Sequence, residues 1–154
     1  MRWLEILSQT STATAQGADS ALVMPWVEIY AVFVVSHLVG DYLIQTDWQA
    51  MHKRGGLRGT REMRRALVSH VITYTLTFVP ALIWLSDSLS VWACIGLAFV
   101  IFIPHLIQDD GSLLAAYARG VKKADIGANP SLGAAMDQSF HFLILFLTAL
   151  LASK

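Results

Sequence analysis

Four long stretches of the chain keep an almost unbroken apolar character, and polar or glycine-containing segments separate them. About 20 residues are needed to cross a hydrocarbon core about 30 Å thick. By that measure residues 25–45, 66–86, 89–108 and 132–152 each read as a transmembrane helix. The link between the second and third, SDSLS at 86–90, is a tight hairpin. The connections 46–65 and 109–131 are longer and polar, and glycines at 55, 56, 59, 111, 120 and 127 discourage long regular helices in them. Within the later one, LLAAYARGVKKA has the pattern of a short amphipathic helix on the membrane surface. The pattern predicts an all-α integral membrane bundle of four transmembrane helices over 25–154, preceded by a polar tail over 1–24. ATAQ at 13–16 resembles a signal cleavage site, but the apolar patch before it, WLEIL, is too short and contains Glu5.

Composition agrees with that class. Hydrophobic residues make up 55% and charged residues 14% of the chain, and the mean hydropathy is +0.54, well outside the usual soluble range. The formal net charge is zero, so no overall basic surface is present for a nucleic acid. The lone Cys94 excludes an intramolecular disulfide and a cysteine-based zinc motif.

Charge is asymmetric even though its sum vanishes. Lys53, Arg54, Arg58, Arg61, Arg64 and Arg65 fall in the first connection, Arg119, Lys122 and Lys123 in the third, and none in the hairpin. The positive-inside rule then places both long connections in the cytoplasm and both termini outside, in an inner (cytoplasmic) membrane. These basic residues read first as topology signals and lipid contacts, and second as a site for an anionic headgroup. Trp48 suits an interfacial anchor. Pro80 is expected to kink the second helix, and Pro104 to tilt the end of the third.

Each span is interrupted by ionisable groups. The first carries His37 and Asp41, the second His70, the third His105 and Asp109, and the fourth Asp137 and His141. Positions four apart on a helix differ by about 40° in direction and about 6 Å in height, so each pair occupies one stripe. Gln45 extends the stripe on the first span. With neighbouring spans running in opposite directions, all seven groups reach a common layer roughly 4–12 Å below the cytoplasmic edge, counting about 1.5 Å per residue. An aspartate at a helix centre costs about 2.5–3.5 kcal/mol on insertion scales, so three of them require compensation.

Imidazole and carboxylate without thiolate suit a divalent metal ion, zinc first and manganese or iron as alternatives. His37, Asp41, His70, His105, Asp109, Asp137 and His141 are the candidate ligands, more than one tetrahedral ion needs. Asp41, Asp109 and Asp137 are candidates for a general base, and Gln45, Gln108 and Gln138 for outer hydrogen bonds. The leading functional reading is a metal-dependent hydrolase of a lipid or other membrane-proximal substrate, with an anionic headgroup held by the basic connections. Proton or cation transport is a second class, although the outer halves of the spans lack acids and bases. A non-catalytic subunit of a larger membrane complex, holding a metal, haem or pigment, is a third. The lipid bilayer is the one partner implied by all three, with a homo-oligomer or larger complex left open.

HLVGDYLIQTDWQAMHK at 37–53, LVSHVITYTL, the His-x-x-x-Asp at 105–109 and DQSFH at 137–141 together resemble the small bacterial and phage integral-membrane proteins grouped as domain-of-unknown-function family 3307. The resemblance covers about 37–145 and implies that the polar residues form one set. It implies no activity. Membrane-bound metal-dependent hydrolases offer a distant similarity of layout. Where the pattern calls for a basic residue soon after Asp109, this chain reads DGSLL.

Overall fold

A computed structural model describes residues 25–154, and the tail expected at 1–24 lies outside the described residues. Helix α1 (Trp26–Leu38) passes directly into a π-helical turn, Val39–Ile44, closed by the Gln45 amide donating to the Gly40 carbonyl at 3.1 Å. Helix α2 (Asp47–His52) is short. Helices α3 (Arg61–Leu76) and α4 (Val79–Leu85) together form the second span. Helix α5 (Val91–Asp110) is the third, α6 (Ser112–Gly120) is a short connector, and α7 (Pro130–Ala152) is the fourth. The described residues contain no strand. Four segments are long and apolar enough to cross a membrane: Trp26–Ile44, Arg61–Leu85, Val91–Asp110 and Pro130–Ala152.

Local sequence explains the boundaries. Ser90 begins α5 by accepting from the Ala93 amide, and Asn129 begins α7 by accepting from the Leu132 amide, each satisfying a backbone donor that the first helical turn leaves free. Gly111, at φ 74°, adopts the left-handed conformation that separates α5 from α6, a geometry glycine reaches without steric penalty. Thr46 and Gln49 form a reciprocal capping box that starts α2. That helix is a short one of six residues inside a connection where glycines discourage long helices, and the Thr-x-x-Gln pattern is its sequence signal.

The second span breaks at residues 77–78 because Pro80 has no amide to offer the preceding turn. Thr77 stitches the break: its hydroxyl lies 2.6 Å from the Tyr74 carbonyl and 2.8 Å from the Ser36 carbonyl of α1. Pro104 does not break its helix, and α5 continues through it.

Helix α1 packs on α7, α3 on α5, and α5 on α7. Toward the hairpin the interior is apolar, built from Ile29, Phe33, Phe78, Leu97, Ile101 and Leu145, all buried. Phe33 meets Phe78 edge-on at 5.7 Å. Outward-facing positions such as Val35, Trp92 and Leu147 are exposed, as expected where lipid is the solvent and close packing holds the helices together. Toward the other end the interior becomes polar.

A buried histidine and aspartate cluster

Each span contributes one or more side chains to that polar end. His37, His70, His105, Asp109 and His141 are buried, and Asp41 keeps only 7% side-chain exposure. Six of the seven expected groups thus meet in one cluster. The π-helical turn helps create it: Gly40 lies so close to α3 that an added Cβ would stand 2.7 Å from the Tyr74 ring, and this close approach brings Asp41 against His70.

Two overlapping triads, Asp41–His70–His105 and His105–Asp109–His141, each bring one atom per residue within 4.8 Å of the others, and each could hold a metal ion. His70 Nε2 has three close neighbours: Asp109 Oδ2 at 2.8 Å, His105 Nε2 at 3.2 Å and Asp41 Oδ1 at 3.3 Å. A neutral imidazole has one N–H, so it cannot satisfy all three. His141 is more constrained. Its Nδ1 donates to the Asp137 carbonyl at 2.8 Å, which leaves Nε2 with a lone pair facing Asp109 Oδ1 at 3.6 Å. Two acceptors then face each other. Asp41 Oδ1, His105 Nδ1 and His141 Nε2 are buried without hydrogen-bond partners among the described residues. A cation between the acceptors would remove that deficit, and the backbone bond at Nδ1 is the kind that orients a metal-binding histidine.

The remaining expected residues take other places. His37 uses both nitrogens, with Tyr74 Oη 3.1 Å from Nδ1 and Gln138 Oε1 2.9 Å from Nε2. Its ring stacks on His141 at 5.2 Å. Asp137 sits at the edge, its carboxylate 3.9 Å from His141 Nδ1 and one quarter exposed. Gln138 does serve as an outer partner. So does Gln45, whose amide, oriented to satisfy both neighbours, accepts from Lys53 Nζ at 2.7 Å and donates to the Asp41 carbonyl at 3.2 Å. Gln108 instead faces a cavity behind the cluster, and no described side chain hydrogen-bonds to it.

Three participants escape a reading by spacing. The Lys53 ammonium donates to Asp109 Oδ2 at 2.8 Å, so a residue read as a topology signal is also part of the cluster. Asp110 holds the loop that carries Lys53, accepting from the Leu57 amide at 2.9 Å through its carboxylate and from the Gly55 amide at 2.7 Å through its carbonyl. Tyr74 stacks flat on His105, with ring centroids 3.4 Å apart and 4° between planes. The acid doublet at 109–110 was the available signal for Asp110; long-range contacts to Lys53 and Tyr74 leave none.

Fold and cluster together define an all-helical bundle of four segments long and apolar enough to span a membrane, with a buried histidine and aspartate centre at one end. The sequence profile of DUF3307, described as a protein of unknown function, matches residues 29–154, and the chain belongs to that family. No curated protein and no solved structure gives a significant match.

Proposed function

We propose that Asp41, His70, His105, Asp109 and His141 bind divalent metal, zinc in the first instance, and that the centre serves hydrolysis of a lipid or other membrane-proximal substrate. The observation carrying the reading is the His141 geometry. A lone pair fixed by a backbone bond faces a carboxylate in a buried site, an arrangement that is costly without a cation or a shared proton. Nitrogen and oxygen donors without sulfur fit zinc. When bound, such an ion supplies Lewis-acid polarisation and a more acidic water.

The protein's own groups would do the rest. His37, fixed by Tyr74 and Gln138, stands beside Asp41, its Nδ1 3.6 Å from Asp41 Oδ2, and shapes the site without donating to it. A carboxylate oxygen not engaged in binding, on Asp41 or Asp109, is the candidate to accept a proton. Lys53 retains 14% side-chain exposure and places a positive charge at the rim, suited to an anionic substrate group. Asp137 lies outside both triads and serves the approach to the centre.

The competing reading is a metal-free polar network, in which Lys53 balances Asp109. Elemental analysis of protein purified without a histidine tag separates the two. Stoichiometric zinc in the parent, lost on alanine substitution at His70, His105, Asp109 or His141 and kept in His52→Ala, is the expected result. A metal-free parent, or triad variants that keep as much metal as His52→Ala, would establish the network instead.

A further inference from the structure

The donor atoms of the cluster divide into two sets. Asp41 Oδ1, His70 Nε2 and His105 Nε2 stand 3.3, 3.2 and 3.7 Å from one another, and Asp109 Oδ2 lies 2.8 and 3.3 Å from the two imidazoles. Four donors around an ion with bonds of about 2.0–2.1 Å are separated by about 3.3–3.4 Å along the edges of the tetrahedron. The quartet is already close to that spacing and needs little movement to enclose one ion. His141 is outside it. Its Nε2 faces the other oxygen of the same carboxylate, Asp109 Oδ1, at 3.6 Å, and the Nδ1 bond to the Asp137 carbonyl fixes the lone pair there. His141 is buried, and this nitrogen has no hydrogen-bond partner among the described residues.

We infer that the centre takes two divalent ions bridged by the Asp109 carboxylate, one enclosed by Asp41, His70, His105 and Asp109, the other held by His141 and Asp109 with solvent completing its coordination. The inference rests on the metal-centre reading and assigns each ion its part. A carboxylate that binds through both oxygens holds two ions about 3.5–4 Å apart, the spacing of two-metal hydrolytic sites. An ion enclosed by four protein donors has no position for water, whereas the second ion has one. Charge makes the two unequal. Asp41, Asp109 and the rim carboxylate of Asp137 oppose Lys53, the one fixed positive charge in contact among the described residues, so a single dication neutralises the centre and a second brings an excess. The second ion therefore binds more weakly. With both Asp109 oxygens engaged and Asp41 bound through Oδ1, Asp41 Oδ2 is the carboxylate oxygen left to accept a proton.

The full chain in detergent, purified without a histidine tag and stripped with chelator, is titrated with zinc in equilibrium dialysis, and bound metal is counted by elemental analysis. The series is repeated with manganese and read by electron paramagnetic resonance. His52→Ala, which removes the surface imidazole near Glu62, is the reference for adventitious binding. The expected result is two ions per chain in the parent and in His52→Ala, bound in separate steps, with a spin-coupled manganese pair at saturation. His141→Ala should lose the weaker step and the coupled signal and keep the first ion. His70→Ala should lose the tighter step. The coupling is read on the parent, so it decides the question even where a variant does not fold. One ion at saturation, two ions without coupling, a His141→Ala protein that still takes two, or a tighter step that survives His70→Ala overturns this inference and leaves the metal centre standing. A parent that binds no ion rejects both.

Discussion

At the scale of single residues, the cluster is governed by hydrogen atoms that are too few for the acceptors present. Among the described residues Lys53 is the one fixed positive charge in contact with it, 2.8 Å from Asp109. Lys53→Met should lower the stability of the metal-stripped protein by about 1.5–3 kcal/mol, the range for a hydrogen bond to a charged group. Added zinc should recover a larger part of that loss than it adds to the parent, since a bound cation would replace the missing charge. Thermal denaturation in detergent, with chelator and with zinc, measures both quantities. An equal zinc effect in parent and variant would remove Lys53 from the electrostatics of the centre. The seven ionisable groups were legible because any charge in an apolar run is conspicuous. Lys53 was not, since a lysine in a basic connection already has a sufficient explanation in topology.

At the scale of elements, the length of the apolar runs located the spans to within a few residues but concealed two local features. The π-helical turn at Val39–Ile44 contains Gly40, which meets Tyr74 across the interface, a contact 34 residues away in sequence that leaves no local trace. The short α2 was hidden by its polar surroundings, although its capping pair was in plain view. Gly40→Ala tests the first of these. The added methyl must displace the Tyr74 ring, which stacks on His105 and touches His37. Overpacking of this kind costs about 1–3 kcal/mol, and metal retention should fall with it although no candidate ligand has changed. Normal metal content in a destabilised Gly40→Ala protein would show that Tyr74 packs against the centre without positioning it.

At the scale of the whole molecule, the bundle has two unlike ends. The apolar interior lies toward the hairpin, and the histidine and aspartate cluster lies with the long connections, whose loop at Lys53–Leu57 is tied to α5. We expect the connection-bearing end to face the cytoplasm, given the nine lysines and arginines in 46–65 and 109–131 against none in 86–90. In a Cys94→Ala background, an impermeant maleimide applied to intact cells should label Ser88→Cys and leave Arg58→Cys unlabelled until the membrane is opened. The reverse pattern would invert the molecule and place the cluster at the outer face.

The pairing of the first span with the last has a consequence for how the chain is made. His37 bonds Gln138 across 101 residues, and His141 is the partner that Asp109 awaits. A ribosome delivers these residues in order, so the first three spans are made before the partners of His37 Nε2 and Asp109 Oδ1 on the fourth. The first three spans already pair Asp109 with Lys53 and His70, and what the fourth adds is the Gln138 contact to His37 and the His141 ring beside Asp109. Arrival of residues 130–152 converts the three-span intermediate into a closed bundle. A chain stopped before Pro130 should accordingly be degraded rapidly in cells, whereas joining a separately expressed fourth span to it should restore its lifetime.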